Sequence, residues 1–405
     1  MLDRARILDA GDALREFRDR FEVPEDVIYL DGNSLGALPT ETPARLERVI
    51  RGEWGEGLIR SWNSADWIGM TRSIGAKIAP LVGAQPHEVI ACDSTSVNLF
   101  KLIAAAIDMR PGRKVILSEP GNFPTDLYMI AGLERQGLAE RRLAARDKLV
   151  EALDADVALL LLTHVHYKTG EMHDMAALTK AAHDAGALVL WDLSHSGGAL
   201  PVDLNACNAD FAVGCGYKYL NGGPGAPAYA FVAERHHEAV HQPLTGWFGH
   251  EVPFAFSDDY SPAPGIGRLQ CGTPPILGLA ALEVGVDLVA EIGVDRLARK
   301  SRALSEFFLE ALGEWGLDLE LVSPLDSAAR GSQLSFRHAE AYAICQALIA
   351  RGVIGDFRDP DILRLGFAPA YLRFADMAEA AQHLVEVLAN GEWQREEFQE
   401  RAAVT

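Results

Sequence analysis

Short apolar runs recur along the middle of the chain, at residues 89–92, 114–117, 157–163, 187–191 and 211–213, and each ends in polar or glycine-rich positions. Such runs suit strands buried on both faces, as in a parallel sheet, where alternation of apolar and polar residues is lost. Between them, residues 99–107 and 175–185 repeat apolar positions at helical spacing. Strand and helix thus alternate from about 89 to 227, which predicts an α/β fold with a mostly parallel, mixed sheet flanked by helices.

Outside this block the pattern changes. Residues 2–21, 43–54 and 71–81 read as helices, as do 232–240, and 276–312 reads as one long helical stretch bridging two domains. Beyond it, runs at 319–322, 333–336 and 362–365 predict strands, with helices over 340–351 and 377–389. That gives a smaller α+β domain. The expected division is an N-terminal segment, 1–55, packing with the small domain, a large domain over 56–285, and the small domain over 286–405. A strand at 27–30 runs into Asp31–Gly32–Asn33–Ser34–Leu35–Gly36. Locally this reads first as a chain-reversing turn. The second reading is a loop that presents Asn33 and Ser34 to a substrate.

Composition narrows the class. The chain has 405 residues, 49% of them hydrophobic and 23% charged, which is ordinary for a globular protein with a sizeable core. A net charge of −20 argues against broad nucleic-acid binding, which needs basic surface. The N-terminus alternates charges like no signal peptide, and no run nears the ~18 apolar residues of a membrane span. Cys92, Cys207, Cys215, Cys271 and Cys345 are odd in number and widely spaced, which suits reduced thiols in a cytoplasmic protein. The histidines at 164, 166 and 173, and the pair at 237 and 241, complete no familiar ligand pattern, so no metal is assigned.

The chemistry concentrates in residues 186–227. One apolar run delivers Asp192, with His195 just beyond, and the next delivers Tyr217–Lys218 between glycines. In parallel sheets ligands gather where strand carboxyl ends meet loops, so Asp192 and Lys218 share a rim. An amine and a carboxylate so placed suit pyridoxal phosphate, whose carbonyl needs a lysine and whose ring nitrogen needs an acid to stay protonated. Singly, each residue reads as a solvated lysine or a capping aspartate; the pair favours the cofactor. Ser94–Thr95–Ser96 opens a helix and suits phosphate, although hydroxyl capping is the commoner use of such residues. Phe123, in a strand-end loop, reads first as a packing residue and second as a ring that stacks on a flat cofactor, with Asp126 then accepting from a polar substituent. Arg364 sits within an apolar strand, where a guanidinium is costly unless paired, so a carboxylate partner is expected from the protein or a substrate.

The segments YLDGNSLG, STSVNLF, NFPTD, HYKTGEMHD, WDLSHSGGALPVDL, GCGYKYLNGGPGAPAY, GWFGH, GTPPIL and LRLGFAPAYLRF resemble the kynureninase family over roughly residues 29–374. The resemblance implies a fold-type-I pyridoxal-phosphate enzyme that hydrolyses L-kynurenine, and potentially its 3-hydroxy derivative, at Cβ–Cγ to an anthranilate and L-alanine. It makes Lys218 the cofactor-bearing lysine, Asp192 the partner of the ring nitrogen, and Tyr217 a phosphate contact and proton carrier. Thr95 and Ser96 would hold the phosphate, Phe123 would stack on the ring, and Asp126, Thr163 and His195 would form its polar shell. Trp247 and Thr273 would complete the cofactor site across a homodimer interface. Arg364 would grip the substrate carboxylate, with Asn33 and Ser34 as further substrate contacts. The competing enzyme reading is a class-V-type aminotransferase or a cysteine desulfurase, with Cys271 as its loop thiol. A non-catalytic binding protein is a third reading, against which the joint presence of Lys218, Asp192 and Arg364 argues.

Overall fold

The computed structural model describes residues 1–317 and 319–401. Its centre is a seven-stranded sheet built from β1 (Val89–Ala91), β2 (Val115–Ser118), β3 (Glu140–Leu143), β4 (Val157–Thr163), β5 (Leu188–Asp192), β6 (Phe211–Gly214) and β7 (Tyr229–Val232). The spatial order is β1-β7-β6-β5-β4-β2-β3. Only β7 runs antiparallel to its neighbours, so the carboxyl ends of β1, β2, β4, β5 and β6 open on one rim. Every residue of β4, β5, β6 and β7 is buried. This is why those strands read as unbroken apolar runs.

Two strands of this sheet escaped the sequence pattern. The segment over 232–240 is not an α-helix: Tyr229–Val232 is a buried strand, Glu234–His236 forms a 3-10 helix, and hydrogen-bonded turns follow to residue 239. Four consecutive apolar residues carry no period, so strand and buried helix look alike. β3 was missed because it is a charged, mostly exposed edge strand, Glu-Arg-Arg-Leu.

Other expected helices are broken by local chemistry. The first ends at Ala10, and Arg15–Arg20 forms a 3-10 turn before Phe21–Glu22 pairs with Leu38–Pro39. Gly11 stops the helix, and the Asp12 carboxylate accepts the Leu14 N–H at 2.9 Å. The long bridge is two helices, Ile276–Ile292 and Val294–Glu314, separated by Gly293 at φ +88. The stretch at 43–54 is an α-helix, Thr42–Glu47, that widens into a π-helix over Arg48–Glu56.

The C-terminal part carries a four-stranded antiparallel sheet in the order Glu320–Leu321, Gln333–Arg337, Ile362–Gly366, Asp356–Arg358. The N-terminal segment joins it: Ile28–Tyr29 pairs in parallel with Val353–Ile354, and Asp31 bridges to Gly366. The Asp9 carboxylate also caps the helix Phe374–Ala389, accepting from the N–H groups of Phe374 and Ala375 at 2.7 and 3.0 Å. These contacts bring the Asp31–Gly36 loop beside Arg364.

Candidate active site

The rim is assembled by strand register. Thr163 at the end of β4 is directly opposite Asp192 at the end of β5, which is opposite Val213 on β6. From β6 the chain continues through Cys215–Gly216–Tyr217 to Lys218. A side chain at Gly216 would meet the Pro227 carbonyl at 2.2 Å, so only glycine lets the lysine loop fold back this closely.

Lys218 is buried, and its Nζ lies 3.0 Å from His195 Nε2. The same nitrogen stands 5.7 Å from the Phe123 ring centroid and 5.9 Å from that of Tyr217. Asp192 is buried and accepts the Ser194 N–H at 2.7 Å through Oδ1. Together with Thr95, Ser96 and Thr163 these residues enclose a cavity of about 130 Å³. A second cavity, about 480 Å³, shares Ser94, Thr95 and Tyr217 with the first and reaches Cys271 and Thr273.

Burial sets the electrostatics. It pushes the carboxyl of Asp192 up, against the Ser194 hydrogen bonds and the Lys218 charge. Burial, reinforced by Asp192, holds Asp126 well above the usual carboxylate range. His195 is held well below its ordinary value by burial, then by the positive charges of Lys218 and Arg364, so its imidazole is neutral. Tyr217 is pushed up by burial and by Cys215 and Asp192, so its phenol stays protonated.

Several of these groups lack a partner of their own: both Asp126 oxygens, Thr163 Oγ1 and His195 Nδ1 are buried without a hydrogen bond. Buried polar atoms are normally satisfied, so orphans gathered around one cavity mark a site shaped for a polar ligand. The set fits pyridoxal phosphate. An amine stands beside a carboxylate, with an aromatic ring nearby and a helix, Thr95–Asp108, opening onto the cavity behind the Ser94 cap.

Arg364 lines neither cavity; it is 1% exposed and directly opposite Asp356 in the small sheet. Its Nε donates to Asp356 Oδ1 at 2.7 Å and its Nη2 to Asp356 Oδ2 and, at 2.8 Å, to Ser34 Oγ. Its Nη1 donates to the Tyr167 carbonyl at 2.8 Å. Asn33, with its amide turned to suit its neighbours, donates to Asp31 Oδ1 at 3.3 Å and accepts from Arg364 Nε at 3.1 Å. The Asp31–Gly36 loop is the chain-reversing turn the sequence read first, and its polar residues meet Arg364. It is a tight turn, with Ser34 and Leu35 N–H groups on the Asp31 carbonyl, and it delivers Asn33 and Ser34 to the arginine. The expected carboxylate partner of Arg364 is a protein group, Asp356.

Thr95, Ser96, Phe123, Thr163, Asp192, His195, Tyr217 and Lys218 thus converge on one cavity, with Asp126 against it. Thr273 lines only the outer cavity. Trp247 reaches neither: it is 42% exposed, packed against Phe248, Phe254 and Phe256. Sequence reasoning passed over Tyr167, Ser194, Asp356 and Arg358. Tyr167 is edge-on to Phe123 at 5.2 Å and lines the lysine cavity; its signal was its place just past the end of β4.

A kynureninase from Pseudomonas fluorescens is 49% identical over 407 residues, covering 98% of both chains. One from Burkholderia mallei (strain SAVP1) is 50% identical over 412 residues, covering 100% of this chain and 99% of the relative. The chain belongs to the kynureninase family. The family's C-terminal domain model, described as kynureninase C-terminal domain, matches residues 297–384, which include Asp356, Arg358 and Arg364. Among solved structures, a cysteine desulfurase from Thermococcus onnurineus NA1 aligns with a TM-score of 0.79 at 19% identity, covering 93% of this chain and 97% of that one. A C-DES variant with glycine covalently linked to its PLP cofactor aligns at 0.78 and 16%, covering 91% and 99%. At such identities these two proteins share the fold of this chain and nothing more specific. Cys271, the loop thiol a desulfurase would need, is pushed up by burial, away from the reactive thiolate.

Proposed function

We propose that this protein hydrolyses L-kynurenine at the Cβ–Cγ bond, giving anthranilate and L-alanine, with pyridoxal phosphate as cofactor. The observation that carries the reading is the buried Lys218–Asp192 pair beside the unpartnered Asp126 oxygens, Thr163 Oγ1 and His195 Nδ1, in a chain of kynureninase ancestry. When bound, pyridoxal phosphate supplies an electron sink conjugated to the substrate's α-carbon.

The protein's own groups then have defined tasks. Lys218 would hold the cofactor and, as a free amine, would take and return protons at the substrate carbons. Asp192 balances the positive charge on the ring nitrogen, and its fixed bond from Ser194 keeps that carboxylate aimed. Neutral His195, with Nε2 3.0 Å from Lys218 Nζ, adds no positive charge beside the lysine. Thr95 and Ser96 offer hydroxyls and helix-start amides to the phosphate, while Phe123 faces the ring and Tyr217 stands ready to carry a proton. Arg364, with Asn33 and Ser34 around it, receives the α-carboxylate. The 3-hydroxy derivative is a second substrate to be assayed beside kynurenine.

A homodimer is part of the same reading. The exposed cluster of Trp247 (42%), Phe254 (53%) and Phe256 (74%) is the kind of surface a second copy covers. In such a dimer Trp247 and Thr273 would reach the partner's cofactor. Cytoplasmic residence is also proposed, on the strength of five free cysteines. The deciding experiment is an anthranilate fluorescence assay on cofactor-loaded protein. Turnover that disappears in Lys218→Ala is expected, and a loaded protein that releases no anthranilate overturns the reading.

A further inference from the structure

Arg364 is not free to act as an isolated cation. Asp356 occupies one edge of its guanidinium through two hydrogen bonds, and the Tyr167 carbonyl occupies Nη1. A buried arginine so paired is close to charge-neutral as a unit, and a substrate carboxylate arriving there would bring an uncompensated negative charge.

A second guanidinium stands next to it. Asp356, in the short strand Asp356–Arg358, faces Arg364 across the ladder, and Arg358, two residues on, projects from the same face. Arg358 Nη2 donates to the Oδ2 of Asp356 that Arg364 also uses, and to Ser34 Oγ at 3.2 Å. Its Nε is buried and has no acceptor. Arg358 is 36% exposed in its side chain, against 1% for Arg364, so its charge lies at the open side of the cluster. That charge acts on Tyr167, Tyr217 and His195, all of which line the Lys218 cavity.

The charges can be counted. Arg364 and Arg358 bring two positive charges and Asp356 one negative, leaving a single positive charge for an incoming anion. Asp31, the other acid in contact with the cluster, is pushed up to about 7 by burial and by Asp356. It therefore cancels that charge only toward alkaline pH.

We propose that Arg358 is the specificity-determining second cation of the substrate-carboxylate subsite: Arg364 supplies oriented hydrogen bonds, and Arg358 supplies the net charge that makes an α-amino acid bind better than the corresponding amine. The proposal rests on the kynurenine-cleaving reading and adds a residue to it.

The test compares Arg358→Gln, Arg358→Lys and Arg364→Gln in cofactor-loaded protein. L-kynurenine turnover is measured, together with calorimetric binding of two probes: the decarboxylated amine of kynurenine, and its deaminated acid, which keeps the carboxylate. For Arg358→Gln, loss of one charge-assisted contact predicts a KM and an acid-probe Kd raised about 10- to 100-fold. kcat should fall far less, and amine-probe binding should be unmoved. Arg358→Lys, which keeps the charge, should recover most of the acid-probe affinity. Equal weakening of both probes means Arg358 merely props the loop, and no change in either means it is a bystander; both results overturn the proposal. If Arg364→Gln also leaves the acid probe unaffected, the carboxylate subsite itself is misplaced and the underlying reading fails with it.

Discussion

Replacing Asp192 with Asn separates a cofactor carboxylate from a structural one, because the two roles move stability in opposite directions. Asp192 and Asp126 are both buried, and both carboxyls are raised, chiefly by burial. Lys218 is the cation that offsets them, while His195 beside it is neutral. Without cofactor, therefore, an ionised Asp192 destabilises the fold. The substituted amide keeps its oxygen for the Ser194 N–H at 2.7 Å, so the turn survives. Cofactor-free Asp192→Asn should melt above the parent at pH 8, where an ionised carboxylate is most costly.

Cofactor binding should change the other way. The neutral amide forfeits one charge-assisted contact to the ring nitrogen, worth about 1.5–3 kcal/mol, which weakens pyridoxal-phosphate binding about 10- to 150-fold. At fixed cofactor concentration the stabilisation by ligand shrinks by the same about 1.5–3 kcal/mol, so the melting curves with and without cofactor draw together. Thermal melting at several cofactor concentrations reads both effects in one series. A variant that melts lower without cofactor and binds it as tightly as the parent would show that Asp192 merely caps its turn, and the reasoning would be wrong.

Three further outcomes are expected. Asp31 has a folded-state carboxyl raised from 3.8 to about 7, so its contribution to stability is fully present below about pH 4 and is lost as pH rises through 7. Asp31→Asn should thus gain on the parent by up to about 4 kcal/mol between pH 4 and 8, read by urea unfolding across that range; equal slopes for both proteins would contradict it. In Gly285→Ala the new Cβ would stand 2.0 Å from the Leu220 carbonyl, just past Lys218. Overpacking of about 1–3 kcal/mol should outweigh the ~1 kcal/mol gain in helix propensity, lowering the melting temperature and loosening cofactor binding. Phe256→Asp, at a residue 74% exposed, should shift sedimentation toward the monomer and reduce cofactor affinity; an unchanged dimer would place the interface elsewhere.

Most of the central sheet and the Lys218–Asp192 rim were legible because they depend on features local to the sequence. Buried parallel strands spell themselves as apolar runs, and a strand end is where the polar residue must appear. The antiparallel strand Tyr229–Val232 was not legible, since its burial comes from neighbours on both sides and not from any period of its own. β3 failed for the opposite reason, being an exposed edge with charged residues. Trp247 belongs to a third class. Its assigned role needs a second chain, and one chain's sequence carries no geometry for that.

Arg364 shows where local reasoning reached its limit and what lay beyond it. Burial cost alone required a carboxylate, and the cross-strand register supplied Asp356. A fully satisfied arginine, however, is a poor anion receptor. The cluster resolves this with one excess positive charge, Arg358 and Arg364 around Asp356, whereas beside Lys218 burial raises the carboxyls of Asp192 and Asp126 and leaves no matching positive surplus. An α-amino acid, positive at its amine and negative at its carboxylate, is oriented by that asymmetry before any reacting atom is touched. Charge placement thus selects the amino-acid end of the substrate, leaving the aromatic end to the shape of the remaining wall.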